Sequence, residues 1–362
     1  MHIYVHIPFC ARKCPYCGFY SVAHCNEAAG YFQALDKEIL EQPVICSAEA
    51  EGDVETVYFG GGTPSFVDAS YVCNAFRKIR HLFSLEEGEF TIEVNPNSFD
   101  ADKARKYREA GFNRISIGVQ SLHDDVLQTL GRLHDRQEAL DAIECAKSAG
   151  FTNISCDLIL GVPGQREEDL YEDAQVLIDA GAKHISMYSL MIEEGTVFEQ
   201  RYGNRLDEYV DPDLERRMYH GLRSFLESRG LIPYEISNCA FPGYESRHNL
   251  SYWQGREYYA FGAGAHGYLN SERFAHPEDI GEYIKDPMKR ITEEVLTEED
   301  KRKEKCMLAL RTSAGICRES AKQYDAIISK NMELGYLEEC NTGFRLTSKG
   351  LDFANQVFMD FV

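Results

Sequence analysis

Three cysteines stand close together near the start of this sequence, directly after a short β-rich run at residues 3–7. Cys10, Cys14 and Cys17 have the spacing CxxxCxxC. An iron–sulfur cluster normally has four thiolate ligands, so three in one tight loop leave one iron without a protein ligand. S-adenosylmethionine can chelate such an iron through its amino and carboxylate groups, and an electron from the cluster then cleaves its sulfonium bond. We therefore expect a [4Fe–4S] cluster that works with S-adenosylmethionine.

Zinc is the alternative occupant of this loop, because cysteines at CxxC spacing can also form half of a zinc site or a redox dithiol. A zinc site would need a fourth close ligand, and His6 and His24 are the local candidates. Aromatic neighbours favour the cluster, since they would keep water away from a radical, although they can also be ordinary packing residues. These neighbours are Phe9, Tyr16, Phe19 and Tyr20.

A run of three glycines follows the second β-rich segment. Gly60, Gly61 and Gly62 are continued by Thr63 and Pro64. Glycines let a backbone come close to a ligand and offer it amide and carbonyl groups, but three glycines can also form a bulge or a turn. Because this run stands at a strand end, we expect it to border the ligand.

Polar side chains also stand at the ends of four other apolar segments. They are Glu93, Gln120, Asp157 and Ser189. Each alone would be a loop residue, but four in register predict a polar ligand across the mouth of a barrel. A carboxylate there can accept a hydrogen bond from a ribose hydroxyl or an ammonium group. Arg132 could bind a ligand carboxylate through two hydrogen bonds, or be an exposed surface arginine.

The elements that must position these residues alternate along the first half of the chain. Strands are predicted at residues 3–7, 56–59, 89–94, 114–119, 153–160 and 184–190. Helices are predicted at residues 28–40, 69–82, 101–110, 136–149 and 167–180, and three of them end at Gly111, Gly150 and Gly181. This alternation predicts an α/β fold with parallel strands, namely a partial (β/α)6 TIM-like barrel whose chemistry lies at the carboxyl ends of the strands.

The pattern changes after residue 230. We expect a barrel at residues 1–230, which a helix at 213–229 completes, and an α/β extension at 231–300 that carries an aromatic segment. A highly charged stretch at 286–305 indicates a boundary. Residues 301–362 form the third unit, in which two helices, a hairpin at 335–346 and a helix opened by Thr347 predict a small winged-helix-like module.

Composition narrows the class of protein. The 362 residues carry a net charge of −21, from 38 basic and 59 acidic side chains, and contain no Lys/Arg block, so nucleic acid is an unlikely partner. No apolar run reaches about 18 residues and no signal peptide is visible, which predicts a cytoplasmic protein.

Nine further cysteines are expected to be small buried side chains rather than disulfides. They are Cys25, Cys46, Cys73, Cys145, Cys156, Cys239, Cys306, Cys317 and Cys340.

Five segments agree in order and spacing with a known group of proteins. They are YVHIPFCARKCPYCGF, YFGGGTPS, IEVNPNSF, ISIGVQSL and DLILGVPGQ. With these segments the chain resembles the radical S-adenosylmethionine proteins related to oxygen-independent coproporphyrinogen dehydrogenase (HemN), over nearly its whole length. The resemblance implies contacts to a cluster-bound S-adenosylmethionine from Tyr4, Gly61, Gly62, Thr63 and Glu93. It also matches residues that line a second S-adenosylmethionine in the decarboxylating enzyme, namely Tyr16, Gln120, Arg132, Asp157 and Ser189.

Within that group the sequence resembles the HemW type, the haem chaperones. The coproporphyrinogen enzymes carry a further cysteine where Phe19 stands, and an extension before the first strand, whereas this chain starts at the strand. The segment HNLSYW, which begins at His248, matches the HNxxYW signature linked to haem binding in HemW proteins. A neutral imidazole is a common haem ligand, and Tyr252 and Trp253 could pack on a porphyrin face. From the residues alone, this aromatic segment could equally be core at a domain junction.

The resemblance implies a haem chaperone that holds a [4Fe–4S] cluster, S-adenosylmethionine and haem as cargo. His248 would be the haem ligand in an exposed, exchangeable site. The implied partners are haem, haem-accepting proteins and a reductant such as flavodoxin or ferredoxin. The alternatives are a radical enzyme acting on a tetrapyrrole, such as an oxygen-independent coproporphyrinogen III oxidase, and a binding module whose cluster is structural.

Overall fold

The computed structural model describes residues 1–41, 54–83 and 85–361, without the side chain of Asn204. Strands and helices alternate in the first half of the chain, as the sequence predicts. The strands are β1 (His2–Ile7), β2 (Thr56–Gly61), β3 (Glu89–Val94), β4 (Arg114–Gln120), β5 (Asn153–Leu160) and β6 (His184–Ser189). The helices are α1 (Ala28–Glu41), α2 (Ala69–Leu82), α3 (Ala101–Ala110), α4 (Asp124–Thr129), α5 (Arg136–Ser148), α6 (Glu167–Ala180), α7 (Val197–Tyr202) and α8 (Pro212–Ser228).

The predicted bounds of these elements lie within two residues of the observed ones. Gly111 and Gly181 close α3 and α6 in the left-handed conformation, which glycine adopts without steric cost. The short helices α4 and α7 were not predicted, because six residues are too few to show a helical period.

The second half of the chain adds short strands and helices. The strands are β7 (Ile232–Pro233), β8 (Asn238–Ala240), β9 (Tyr258–Phe261), β10 (His266–Leu269), β11 (Glu272–Ala275), β12 (Ile291–Val295), β13 (Ile316–Cys317), β14 (Leu337–Glu339) and β15 (Gly343–Leu346). The helices are α9 (Arg247–Trp253), α10 (Ile280–Lys285), α11 (Glu298–Ala309), α12 (Arg318–Ala321), α13 (Asp325–Glu333), α14 (Ser348–Asp352) and α15 (Ala354–Met359).

Twelve of the described strands form one sheet, in the order β12-β11-β10-β9-β1-β2-β3-β4-β5-β6-β8-β7. Strands β1 to β6 are parallel neighbours in sequence order, so the predicted partial barrel of the α/β class is confirmed. The extension continues the sheet on both sides, because β9 pairs with β1 and β8 pairs with β6. Both edges of the six parallel strands are therefore paired with other strands, and the outer edges of the sheet are the short strands β12 and β7.

The inner face of the six parallel strands is polar. In β1 the outward residues Ile3, Val5 and Ile7 are completely buried under the helices, whereas His2, Tyr4 and His6 alternate with them and therefore share the opposite face. The same alternation in the neighbouring strands lines the barrel with polar side chains, among them Thr56, Tyr58, Glu93, Arg114, Ser116, Ser155, Asp157 and His184. A parallel sheet with helices on both faces would be apolar throughout, so a polar inner face is typical of a partial barrel with helices on its outer face only.

The C-terminal part has a core of its own. Strands β13, β15 and β14 form an antiparallel sheet against α11 and α13, in the winged-helix-like order expected from the sequence plus the short strand β13. Its core includes Leu310, Ile316 and Val357. It contacts the barrel extension through backbone hydrogen bonds, including one of 3.0 Å from Ile236 N to Arg311 O. The domain limits 1–230, 231–300 and 301–362 stay predictions.

The scattered cysteines do not share one environment. Four are buried as expected, namely Cys73, Cys156, Cys239 and Cys306, and Cys145 and Cys340 are partly buried. Cys25 and Cys317 are exposed, so the expectation was wrong for these two, which lie on loop or strand-end positions outside the cores. Cys46 lies outside the described residues. Among the helices that the structure describes, none is long and apolar enough to cross a membrane.

Candidate functional site

The three clustered cysteines lie on the loop that follows β1, at the mouth of the barrel. Backbone hydrogen bonds shape this loop: Cys10 N donates to Val22 O at 2.9 Å, and Val22 N donates to Pro8 O at 2.7 Å. Cys17 N donates to Cys14 O at 3.1 Å, which closes a turn between the second and third cysteine. All three thiols are partly buried, and none of them forms a disulfide.

The surroundings of the thiols suit an iron–sulfur cluster. Cys10 Sγ lies 3.4 Å from Thr63 Oγ1, and an Arg132 N–H donates to Cys14 Sγ at 3.6 Å. Burial raises the pKa of the Cys10 and Cys17 thiols, so a bound cation is needed to hold them as thiolates. In the described ranges, no three His, Cys, Asp or Glu side chains converge as ligands of a single ion. A cluster does not need such convergence, because each thiolate binds a different iron.

The two histidines considered as zinc ligands are engaged elsewhere. His6 Nδ1 lies 3.1 Å from Tyr4 Oη and His6 Nε2 lies 2.9 Å from Tyr20 O. His24 is exposed and forms an ion pair of 3.1 Å with Glu27. Neither ring supplies the fourth ligand that a zinc site would need.

The glycine run brings the end of β2 against the cysteine loop. Gly62 N donates to Ile7 O at 2.9 Å, and Thr63 N donates to Phe9 O at 2.8 Å. A Cβ atom at Gly62 would lie 2.8 Å from Ile7 O and 2.9 Å from Phe9 N. The close approach expected toward a ligand is thus made by Gly62 with the chain's own cysteine loop.

We expect Gly62→Ala to lower cluster loading in a protein that still folds. The added methyl group meets backbone atoms rather than a flexible side chain, and such overpacking costs about 1–3 kcal/mol. Iron and sulfide should be measured after anaerobic reconstitution and desalting. Gly281→Ala is the matched control, because its methyl would meet only Asp279, at 3.3 Å. Equal iron content in both variants would contradict the role given to Gly62.

Glu93 is held at the mouth end of β3 by two donors. Tyr58 Oη donates to Glu93 Oε1 at 2.6 Å, and Gly61 N lies 3.3 Å from Oε2 as the second donor. Burial raises the pKa of Glu93 to about 7, although these two hydrogen bonds act in the opposite direction. The carboxyl group therefore changes its charge near neutral pH while its position is fixed by β2.

Arg132 is not an exposed surface arginine, because its terminal nitrogens are bonded inside the barrel mouth. One of its terminal nitrogens donates to Asn95 Oδ1 and to Gly118 O, both at 2.8 Å, and the other faces Cys14. A bulge in β4 after Ile117 turns the Gly118 carbonyl toward this guanidinium. The expectation that Arg132 binds a ligand carboxylate stays a prediction: its terminal nitrogens connect the cysteine loop to β4, and its Nε has no hydrogen-bond partner among the described residues.

Gln120 joins the same group of side chains. It ends β4 with a φ of 70°, an unusual conformation for a residue other than glycine and one that is enriched at functional sites. A Cβ atom at Gly118 would lie 3.0 Å from Gln120 Nε2 and 2.7 Å from Asn95 Oδ1, so these amides converge above it. A surface pocket beside them is lined by Cys14, Thr63, Asn95 and Arg132 among others.

Asp157 faces the barrel interior, but Ser189 does not. Asp157 Oδ1 accepts from Ser116 Oγ at 3.5 Å, and burial raises the pKa of this carboxyl group. Asp157 pairs with Ser186, and Ser189 lies three residues later, so it points to the opposite face of β6 and bonds Glu215 of α8. The predicted register was wrong for Ser189, and the inward residue near this strand end is Tyr188.

The two tyrosines among the predicted contacts, Tyr4 and Tyr16, lie on different parts of the barrel. Tyr4 lies on the inner face of β1, and its hydroxyl is within hydrogen-bond distance of His6. Tyr16 lies in the cysteine loop and packs against Phe198 of α7, with ring centroids 6.2 Å apart. Phe19 is 70% exposed, so it does not shield the loop as the sequence analysis expected.

His248 lies in α9, which covers the amino-terminal end of the barrel. Its side chain is 1% exposed, and burial lowers its pKa to about 3. Nδ1 lies 2.7 Å from Thr56 Oγ1, and Nε2 lies 2.8 Å from Tyr252 Oη. The imidazole also stacks on Tyr58 with centroids 5.0 Å apart. Both ring nitrogens are thus occupied by protein groups at the far end of the barrel from the cysteines.

Known proteins were compared with the chain. The sequence profile of the radical SAM superfamily matches residues 4–177. Heme chaperone HemW of Bacillus subtilis (strain 168) is 34% identical over 376 residues, covering 99% of this chain and 98% of that protein. Heme chaperone HemW of Escherichia coli (strain K12) is 32% identical over 392 residues, covering 100% and 98%.

This chain belongs to the HemW family of radical SAM proteins. The fold of this HemW-family chain is also that of coproporphyrinogen III oxidase (HemN) from Escherichia coli, which is described as a radical SAM enzyme. The TM-score is 0.83 at 20% identity, and the match covers 99% of this chain and 89% of HemN. At this identity the likeness shows the fold alone.

The HNLSYW segment of this HemW-family chain is not the exposed site that the sequence analysis expected. In the structure His248 is buried and its ring is bonded to Tyr252 of the same helix, while Ser246 and Glu89 accept hydrogen bonds from the first turn of that helix. The expectation of an exposed site was wrong for this conformation. The six residues combine polar and aromatic side chains, which suit burial at the end of a barrel as well as contact with a porphyrin. A haem ligand role for His248 stays a prediction, and it requires α9 to move.

Three residues of the HemW-family site escaped sequence reasoning. Asn95 bridges Thr63 and Arg132 through hydrogen bonds of 2.9 and 2.8 Å. Tyr58 holds Glu93, and Arg114 lies buried on the inner face of β4. The signal for Asn95 was its place just after β3, before Pro96. Tyr58 and Arg114 could have been found from the alternation of polar and apolar residues within their strands.

Proposed function

We propose that this chain is a haem chaperone of the cytoplasm that carries a [4Fe–4S] cluster and S-adenosylmethionine and delivers haem to haem-requiring proteins. The observation that carries this proposal is similarity over nearly full length to proteins named Heme chaperone HemW, in a chain that keeps a free three-cysteine loop at a polar barrel mouth. The partners would be haem, acceptor proteins and a reductant such as flavodoxin or ferredoxin.

In this proposal Cys10, Cys14 and Cys17 hold the cluster, which supplies one-electron chemistry toward a chelated S-adenosylmethionine. Arg132 neutralises part of the thiolate charge next to Cys14, and Thr63 contacts Cys10. Glu93 accepts hydrogen bonds from donors of the bound S-adenosylmethionine. The remaining residues proposed to line the ligand are Tyr4, Gly61, Gly62, Gln120 and Asp157, with Tyr16 at the edge of the loop.

The haem part of the proposal is tested by titrating haem into reconstituted protein. Haem should bind, and His248→Ala should weaken its affinity about tenfold or more, because loss of an axial ligand removes the bond that orients the iron. His184→Ala is the matched control, since His184 is equally buried with both ring nitrogens bonded. Haem affinity that is unchanged in His248→Ala would defeat the assignment of His248 as the ligand.

S-adenosylmethionine affinity should rise with pH. Glu93 has a pKa raised to about 7, so its carboxylate form, which accepts two hydrogen bonds, increases from roughly one tenth at pH 6 to nine tenths at pH 8. We expect affinity to increase about ninefold over this range. Equilibrium dialysis with labelled S-adenosylmethionine measures it. Glu93→Gln should bind more weakly and lack the rise, and a rise that survives in this variant would assign it to another group.

The second candidate is an enzyme that decarboxylates coproporphyrinogen, favoured by a fold shared with HemN over 99% of this chain. Phe19 stands where those enzymes carry a further cysteine, and it is exposed at the mouth. Anaerobic turnover with dithionite, S-adenosylmethionine and coproporphyrinogen separates the two functions. Stoichiometric protoporphyrinogen would overturn a function limited to haem transfer.

A further inference from the structure

A short series of direct contacts joins the amino-terminal end of the barrel, here called its floor, to the mouth where the three cysteines lie. Glu89 in β3 accepts hydrogen bonds from the backbone N–H groups of Arg247 and His248, at 3.1 and 3.0 Å, and so fixes the start of α9. Thr56 in β2 fixes the His248 ring through Nδ1 at 2.7 Å. These bonds orient the imidazole toward the barrel interior rather than toward solvent.

The His248 ring lies on two tyrosines that project from neighbouring strands. It stacks on Tyr58 with centroids 5.0 Å apart and an interplanar angle of 24°, and on Tyr4 with centroids 6.5 Å apart. Tyr4 and Tyr58 stack on each other at 6.2 Å. Three aromatic rings therefore limit one another's rotation inside the barrel.

Tyr58, whose ring is limited in this way, also binds the carboxyl group of Glu93 at the mouth. Its hydroxyl donates to Glu93 Oε1 at 2.6 Å, and Glu93 lies four residues after Glu89 on the same face of β3. The other oxygen, Oε2, faces Gly61 N at 3.3 Å. Of the two donors that orient Glu93, the one at the shorter distance is therefore carried by a ring that stacks on His248.

We propose that Tyr58 and His248 are positioning residues: Tyr58 fixes the Glu93 carboxylate for S-adenosylmethionine, and His248 fixes Tyr58 from the barrel floor. The inference deepens the proposed function, because it assumes that Glu93 contacts S-adenosylmethionine. It gives the HNLSYW segment a role at the S-adenosylmethionine site that a haem ligand alone would not have.

One consequence concerns haem. If haem iron takes His248, the imidazole must leave Thr56 and Tyr252, and Tyr58 then loses the ring that holds it. Haem and S-adenosylmethionine are therefore expected to weaken each other's binding by the same factor, since coupling between two sites is reciprocal. Release of haem would restore the S-adenosylmethionine site.

The test measures S-adenosylmethionine affinity of the reconstituted protein across pH 6–9, for wild type, Tyr58→Phe and His248→Ala. Tyr58→Phe keeps the stacked ring and removes only the donor. Its affinity at pH 7 should fall about tenfold, as expected for a lost hydrogen bond to a charged group. Its pH midpoint should also rise, because the Tyr58 bond lowers the pKa of Glu93. A merely structural role of the hydroxyl would not move this midpoint.

Other charged and titratable groups also face Glu93, and Tyr58→Phe leaves their own contacts unchanged. They are Tyr4, Arg114, Asp157, Tyr188 and Tyr252. His248→Ala should weaken S-adenosylmethionine binding in the same direction as Tyr58→Phe. The control His184→Ala removes a floor histidine that bonds Ser155 and Tyr234 instead, and its affinity should stay within about twofold of wild type.

If Tyr58→Phe binds S-adenosylmethionine with wild-type affinity and an unchanged pH midpoint, the inference is overturned. This variant alone tests the inference if His248→Ala does not fold. Haem added to wild type should weaken S-adenosylmethionine binding, and His248→Ala should not respond. Absence of that response in wild type would overturn the coupling. Absence of any S-adenosylmethionine binding in wild type would instead overturn the proposed function itself.

Discussion

Cys14→Ala is expected to yield a folded protein with almost no iron. Cys14 is the middle one of the three proposed ligands, and its thiol faces the Arg132 guanidinium. Changes outside the ligand shell already cost about 10–100-fold in metal affinity, so loss of a ligand should cost more. We expect iron and sulfide after reconstitution to fall about tenfold or more, together with the visible absorption of the cluster. The small side chain lies on a surface loop, so the free energy of unfolding of the unloaded protein should change little.

Cys25→Ala is the matched control for this experiment. Cys25 belongs to the same stretch between β1 and α1, but it is exposed and takes no part in the CxxxCxxC spacing. It should retain the wild-type iron content. Full iron loading of Cys14→Ala, or equal loss of iron in Cys25→Ala, would contradict a cluster held by these three thiols.

Glu38→Ala is expected to cause the largest loss of stability among single changes away from the cluster. Glu38 in α1 is completely buried, and its Oε1 lies 3.1 Å from the equally buried His276 Nε2. Its Oε2 accepts from Tyr283 Oη at 2.6 Å and from Gly262 N at 3.1 Å. Removing one partner of a buried pair leaves its partners without an acceptor and costs about 3–5 kcal/mol of the free energy of unfolding. Urea denaturation measures this loss.

Glu41→Ala provides the comparison on the same helix. Glu41 lies 3.9 Å from Lys37, and both side chains are more than half exposed. An exposed pair of this kind contributes less than about 1 kcal/mol, so Glu41→Ala should change stability little. Similar losses in the two variants would show that Glu38 does not tie α1 to the barrel extension.

The barrel elements were predictable because their signals are local. Helices such as α2 and α3 show a clear apolar period with aspartates at their N-caps, and their predicted bounds agree with the structure. Strands β3 and β5 were also bounded correctly, since apolar runs next to glycines and turns need no tertiary information. The short strands of the extension were missed because two to five residues hold no period, and the edges of an existing barrel stabilise them.

The candidate site divides in a similar way. Thr63 follows β2, Glu93 and Gln120 stand near the carboxyl ends of β3 and β4, and Asp157 lies beside them on β5. Their placement at the mouth followed from the order of the elements. The roles of Arg132 and Ser189 depended on the bulge in β4 and on the phase of β6, and neither is visible in a linear sequence. Asn95 was missed because its importance comes from bridging two other strand ends.

The sequence by itself determined the family, and with it the cofactor that the family implies, because a spacing of three cysteines and the order of five segments are properties of the chain alone. Tertiary structure alone decided what surrounds His248. The HNLSYW segment is far in sequence from β2 and β3, yet Thr56, Tyr58 and Glu89 bury its histidine in the barrel floor. Whether an imidazole is an open ligand or a buried packing group depends on the solvent and partners that folding brings to it, and these come from residues more than 150 positions away.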